Sequence, residues 1–357
     1  MSEKSVIKHK KPPNPPKADA FQNRQLDLFR RFLCNGEDER DSLSNLFDLW
    51  DCIPRYAISR QQQDKWRKAK DFPILHKIPF HHRGRELEAK IQPAAVEGKD
   101  GAARQYYPSA NEELIEDVLR KIAAEQNAGY HDSKEQRTGV CFTLHMVRKE
   151  LAKRGHTRSY QEIYLSLKIL ASSIIEIHGA DGKGGEGFTV NPYFSGLAAV
   201  SKSKLTDDPE AKWFVDFHPL VSRSLDQLTY RQFNYARLMS HNSQLARWLN
   251  RVLCLKYLNA DLLHPFDMRF STIARDSGLL NGYAVLRLAV AAVDSAFTEL
   301  QTCKPPLIVR MEKKPNLGAR NKILDVVYTL FPSREFVAEM KAASKRQNDS
   351  VLEHKLL

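Results

Sequence analysis

Apolar residues in this chain change their period abruptly, and they do so in the same order in two successive stretches. From Ser109 onward, Leu114, Ile115, Val118, Leu119 and Ile122 recur at helical spacing. Ser109 or Asn111 is placed to cap that helix, with Glu112 and Glu113 at its positive end. A short strand, Gly139-Val140-Cys141-Phe142, precedes a helix Leu144–Lys153 that stops at Gly155. The polar turn His156-Thr157-Arg158-Ser159 then opens a long helix carrying Ile163, Leu165, Leu167, Ile169, Leu170 and Ile174. At Ile174-Ile175-Glu176-Ile177 the period falls from 3.6 to 2, and a glycine-rich run (179–187) leads to a second strand, Phe188-Thr189-Val190.

After a strand Trp213–Phe217 and a short helix Pro219–Leu225 the order restarts. A helix from about Ser243 to Asn259 carries Leu245, Trp248, Leu249, Val252, Leu253 and Tyr257 on one side. A helix Ser271–Ser277, a turn Gly278–Gly282 and a long helix Tyr283–Gln301 follow. Strands Leu307–Met311 and Ile323–Tyr328 flank a basic turn, Lys313–Lys322. Helix, turn, helix, strand, hairpin, strand is the order of a winged helix. The expected fold is therefore α+β and mostly helical, with two tandem winged-helix domains behind a flexible basic N-terminal tail. The expected boundaries are 1–58 for the tail, 59–107 for a mixed connecting segment with a hairpin near 98–101, 108–235 and 236–335 for the two domains, and 336–357 for a C-terminal helix and tail. Residues 44–58 are expected to dock on the body. A chain of 357 residues can bury two ordinary cores.

Charge selects the partner. Lys+Arg 55 against Asp+Glu 43 leaves a net charge of +12, a field that gathers a polyanion. No apolar run reaches transmembrane length and no signal-peptide pattern opens the chain, so no membrane partner is expected. The five cysteines lack C-x-x-C spacing, which points away from a disulfide framework and a zinc site and toward a reducing cytoplasm. The glycine run lacks the Lys-Ser/Thr ending of a phosphate loop and joins strand to strand, so it reads as a wing. His81 and His82 are adjacent and would point to opposite faces of a strand, away from a shared metal. With no Walker motif, no Ser-His-Asp set and no paired polymerase carboxylates, the expectation is a non-enzymatic DNA-binding protein without metal or cofactor.

In a helix-turn-helix the turn and the opening of the second helix meet base edges. In the first unit those residues are Arg154, His156, Thr157, Arg158, Ser159, Tyr160 and Gln161; Arg158 suits guanine and Gln161 adenine. In the second they are Arg275, Asn281, Tyr283 and Arg287. Wing residues Lys183, Arg310, Lys313, Lys314, Arg320 and Lys322 are expected to meet phosphates. Between the units, Tyr230-Arg231-Gln232-Phe233-Asn234-Tyr235-Ala236-Arg237 suits either backbone phosphate and single strands or a packed linking element.

Gln25-Leu26-Asp27-Leu28-Phe29 resembles the peptide by which bacterial replication proteins dock on the sliding clamp; the alternative is an amphipathic helix packed on the body. Together with Tyr107–Leu114, Arg158–Glu162, Leu228–Tyr235 and Leu245–Leu249, it makes the chain resemble iteron-binding plasmid replication initiators of the RepA/TrfA type over roughly 20–335. The resemblance implies binding to direct repeats of double-stranded DNA at an origin and opening of adjacent AT-rich DNA, with its single strands as a further partner. It also implies recruitment of the host sliding clamp, helicase and initiator, a monomer–dimer equilibrium, plasmid copy control and a bacterial, nucleoid-associated location. A winged-helix repressor is the competing reading, and a DNA-nicking initiator the third.

Overall fold

Two of the helix starts are built from one local device. Ser109 and Ser159 precede helices whose third residues are Glu112 and Glu162. Each glutamate carboxylate accepts from its serine's backbone N–H (2.9 and 2.8 Å) and hydroxyl (2.8 Å in both). This capping box satisfies groups the helix cannot pair internally.

The computed structural model describes residues 24–98, 101–125, 128–180, 186–201, 205, 208–319 and 323–355. Within them the chain opens with α1 (Arg24–Arg30), α2 (Glu37–Asp41), β1 (Leu43–Phe47), a 3-10 turn at Trp50–Cys52 and α3 (Arg60–Ala69). Two hairpins follow, β2 (His76–His82) with β3 (Arg85–Gln92) and β4 (Ala94–Glu97) with β5 (Ala103–Tyr106). The first patterned unit comprises α4 (Ala110–Ala124), β6 (Gly129–Asp132), β7 (Arg137–Phe142), α5 (Leu144–Lys153), α6 (Tyr160–Ser172), β8 (Ile174–Ala180) and β9 (Glu186–Pro192). Next come β10 (Phe194–Val200), β11 (Lys212–Phe217), α7 (Pro219–Asp226), β12 (Tyr230–Asn234) and α8 (Tyr235–Ser240). The second unit is α9 (Gln244–Lys256), β13 (Phe266–Arg269), α10 (Phe270–Ser277), α11 (Leu286–Thr302), β14 (Ile308–Leu317) and β15 (Ile323–Pro332), followed by α12 (Arg334–Lys355).

The chain is α+β, and the strands pair antiparallel throughout the described residues: β2-β3-β8-β9, β10-β11-β7-β6, β13-β15-β14, β4-β5 and β1-β12. The expectation of a mostly helical chain underestimates this strand content. Residues 76–92 look mixed and charged in sequence because one face of the hairpin is solvated. Their other face buries Ile78, Phe80, Ala89 and Ile91 and extends the β8-β9 hairpin into a four-stranded sheet.

From residue 24 onward the N-terminal segment is no tail. Leu26, Leu28 and Phe29 are 2, 1 and 3 % exposed, Gln25 is half-buried and Asp27 faces solvent. The Phe29 ring stacks on Phe47 (centroids 5.9 Å apart) and meets Tyr230 edge-on at 5.3 Å. The packed amphipathic helix is thus the reading the structure takes for Gln25–Phe29. An apolar triad of this size loses more by staying in water than by joining the nearest core. The segment 44–58 does dock: Leu46, Phe47 and Trp50 are buried, and β1 pairs with β12 from Leu43–Asn234 to Phe47–Tyr230.

The C-terminal helix runs from Arg334 to Lys355 and lies across that joint. Arg346 donates to Asn45 Oδ1 (2.6 Å) and to the Leu28 and Phe29 carbonyls (both 2.9 Å). The Tyr230–Arg237 stretch takes the packed alternative. Tyr230, Phe233 and Tyr235 are buried, Arg231 donates to the Met340 carbonyl (3.0 Å) and Arg237 to Glu339 (2.9 Å). Its cations therefore face the interior, away from any phosphate.

Candidate nucleic acid interface

The two units are joined through buried charge. Helix α4 was expected only to bury Leu114, Ile115, Val118, Leu119 and Ile122; its other side buries Glu113, Glu116, Asp117 and Arg120 as well. Arg247 and Arg251 of α9 reach Glu113 at 3.2 and 2.5 Å, and Arg251 also pairs with Asp117. Arg120 meets Asp51 at 2.8 Å and Asp117 at 2.7 Å, and Arg55 meets Asp51 and Glu116 at 3.0 Å each. Four carboxylates thus face four guanidiniums. Burial alone would raise Glu116, but Arg55 and Arg120 outweigh it and hold the carboxyl down to about 2. For Asp117 burial wins over Arg251 and Arg120, and its pKa is raised.

In the first unit most of the expected reading residues already have partners inside the molecule. Arg154 pairs with Asp41 (2.9 Å) and Glu150 (2.8 Å), which ties the turn to the chain just before β1. His156 Nε2 lies 2.8 Å from the Met239 carbonyl, and burial lowers its pKa. Arg158 donates to Asn111 Oδ1 on α4, and Ser159 is consumed by its capping box. Leu165 and Ile169 of α6 lie under the β4-β5 hairpin, against Ala94, Val96 and Tyr106. A guanidinium next to a carboxylate has little left for a base edge. Gln161 is exposed; Lys183 lies outside the described residues. Arg148 and Lys149 on α5 are exposed beside this turn's helix start, with Arg148 over the Tyr160 ring at 4.8 Å.

In the second unit the residues from Asn281 to Leu288 are open to solvent. Gly278 ends α10 at φ +64°, where a Cβ would stand 2.8 Å from the Ala57 Cβ, so the turn needs glycine on both counts. Every residue from Asn281 to Leu288, including Tyr283 and Arg287, is exposed, and α11 begins only at Leu286. Arg287 has no side-chain partner among the described residues. Arg275 is turned aside onto Asp276 (2.7 Å). Strand β14 extends through Lys313 and Lys314, so the basic turn is shorter than the sequence suggested. Arg310 lies over the Phe331 ring at 3.8 Å and pairs with Glu312 (2.6 Å). Lys313 pairs with Asp294 (2.6 Å), whereas Lys314 has no partner among the described residues. Arg320 and Lys322 lie outside them.

His81 faces Glu86 (3.2 Å) and His82 faces Asp48 (3.5 Å), on opposite sides of β2. Among the described residues no group of three or more His, Cys, Asp or Glu side chains could hold a metal ion, and no helix is long and apolar enough to cross a membrane. All five cysteines are free thiols.

No protein-family model matches the sequence, and no curated protein matches it. Among solved structures the chain is similar to a crystal structure of a selenomethionine derivative of domains 2 and 3 of RctB (TM-score 0.48, 9 % identity, 79 % of this chain and 97 % of that one). It is also similar to a second crystal structure of RctB domains 2–3 (0.44, 11 %, 75 % and 95 %) and to the Pi initiator protein in complex with iteron DNA (0.41, 12 %, 63 % and 91 %). Likeness of this degree speaks to neither partner nor chemistry.

Proposed function

We propose that the chain is a replication initiator of the iteron-binding plasmid type. It binds repeated double-stranded sites at an origin through two tandem winged-helix units and acts without catalytic chemistry of its own. One observation carries the reading: the open face from Asn281 to Leu288, at the start of a second helix after a tight turn, with Arg287 unpaired among the described residues. The net charge of +12 supports it. Opening of adjacent DNA then draws on binding and distortion, with helicase and clamp recruited once single strands appear.

Burial of Leu26, Leu28 and Phe29 bears on the clamp. Docking through that peptide requires α1 to leave Phe47, Tyr230 and Arg346. Without an accessible peptide the argument against a winged-helix repressor weakens, so this is retained as the second reading. Footprinting of the full chain on DNA flanking its own gene tests both. Regularly phased protections about two helical turns apart are expected for an initiator. One isolated protected site would favour a repressor, and no protection at all would overturn the DNA-binding reading.

A further inference from the structure

The strongest chemical oddity of the second unit is what the start of α11 exposes. Tyr283, Val285, Leu286 and Leu288 are 44, 52, 41 and 57 % exposed, four large apolar side chains within six residues. Val285 holds the N-cap position of α11 with no side-chain cap, where water would favour Ser, Thr, Asp or Asn. Farther along, the exposed positions of the helix are small: Ala291, Ser295 and Thr298. Arg287 is the single cation of α11. Two local preferences are therefore broken together, for polar exposure and for a polar cap. A cluster of this kind marks a surface made to be covered.

Resting on the DNA-binding reading above, we propose that this helix reads thymine. Leu288, which shares a helix face with Ala291, Ser295 and Thr298, is the specificity-determining residue, and it contacts a thymine 5-methyl group in the major groove. The groove admits an α-helix, and the methyl is the one apolar feature on its floor. Small residues at 291, 295 and 298 let the helix sink toward the base edges. The rim fits a polyanion: Arg287 has no partner among the described residues, and the carboxylates Asp294 of α11 and Glu312 of β14 are neutralised by Lys313 and Arg310. An apolar protein partner would face that uncompensated positive rim.

The probe is the duplex defined by footprinting, with thymines replaced one at a time by deoxyuridine, which removes only the methyl. The methyl that meets Leu288 is expected to be worth about fourfold in affinity. In a Leu288→Ala variant the difference between thymine and deoxyuridine duplexes should vanish, while the salt dependence of binding stays that of the wild type. Leu288 is 57 % exposed, so the variant should keep the wild-type melting temperature. Equal binding of thymine and deoxyuridine duplexes by the wild type overturns the assignment while leaving DNA binding intact. Persistence of the difference in the variant, or a change in its oligomeric state with the difference retained, also overturns it. Failure of the wild type to bind any flanking duplex removes the DNA-binding reading and this one with it.

Discussion

Arg247 of α9 meets Glu113 of α4 at 3.2 Å, with each side chain almost wholly buried. The pair ties α9 to α4, and Arg251 reinforces it through Glu113 and Asp117. A buried pair of this kind adds little net stability relative to apolar residues of the same volume. Breaking one partner is costly because it strands the other charge. Glu113→Ala is therefore expected to destabilise the chain by about 3–5 kcal/mol. Arg247→Met combined with Glu113→Leu, which leaves Arg251 with Asp117, should cost less than the single change. Urea denaturation of the wild type and the two variants checks the order, and a smaller loss for Glu113→Ala than for the double variant would rule out stranded charge as the cause.

Acid should weaken the fold earlier than its carboxylates alone would dictate. His218 stacks on Trp50 with centroids 4.3 Å apart and caps α7 through Nδ1; burial and Arg55 hold its pKa down to about 3 from 6.5. Burial and Arg237 hold His241 down to about 4. A depressed folded-state pKa means that stability is fully present above the unfolded value of 6.5 and is lost as pH falls from there toward 3–4. Each histidine contributes a slope of about 1.4 kcal/mol per pH unit in that window. Glu116 adds a second loss only between 4.5 and about 2. Urea midpoints should thus begin to drop by pH 5.5, and His218→Asn, which keeps a capping side chain, should remove about half of that early slope. Stability constant from pH 7.5 to 5 would mean that neither imidazole is held neutral by the fold.

How far the sequence could be read depended on the range of each interaction. The start of α4 at Ser109, one of the two caps expected, the turn at Gly278 and the β4-β5 hairpin are settled by residues within a few positions of one another, and they stand where local pattern placed them; Ser159, expected to meet base edges, caps α6 instead. The pairing of β3 with β8 joins Leu87 to Gly179, and no local pattern records such a partner. The same limit governs charge. Arg154 beside a polar turn looks identical in sequence whether its counterion is a phosphate or Asp41, which lies 113 positions away. Acidic residues in the first turns of α4 suit a helix N-terminus, and nothing nearby signals that Glu113 and Asp117 face two arginines of α9. Leu26, Leu28 and Phe29 had no visible core to join because that core is assembled from β1, β12 and the far end of the chain.

Helix α1 is held by its backbone as well as by its apolar side chains. Arg346 remains charged at neutral pH although burial lowers its pKa to about 10, and it donates to the Leu28 and Phe29 carbonyls. Arg346→Met strands Asn45 Oδ1, at a cost of about 1–3 kcal/mol, and leaves the Leu28 and Phe29 carbonyls only the Arg31 N–H (3.3 Å) and Asn45 Nδ2 (2.9 Å). Trypsin should then cut after Arg30 and Arg31 faster than in the wild type. If Gln25–Phe29 docks on the sliding clamp, the variant should also capture more clamp from solution. Equal capture by the two proteins despite faster cleavage would take the docking role away from this peptide. Leu28→Ala is the poorer test, because deleting a side chain 1 % exposed should itself cost about 2–5 kcal/mol.

The two lysines of the second wing should separate in a salt titration. Both lie on β14, but Lys313 is paired with Asp294 at 2.6 Å and Lys314 has no partner among the described residues. A phosphate contact releases a counterion only to the extent that the cation was free to attract the duplex, so the unpaired side chain carries the larger share. Lys314→Ala should lower the slope of log affinity against log salt by about 0.9, and Lys313→Ala by clearly less. Asp294→Ala should then raise the contribution of Lys313 toward that of its neighbour, because its competitor for the ammonium is gone. Equal slopes for both lysine variants would mean that the Asp294 pair does not survive contact with DNA. Unaltered slopes in both would place this wing away from the phosphate backbone.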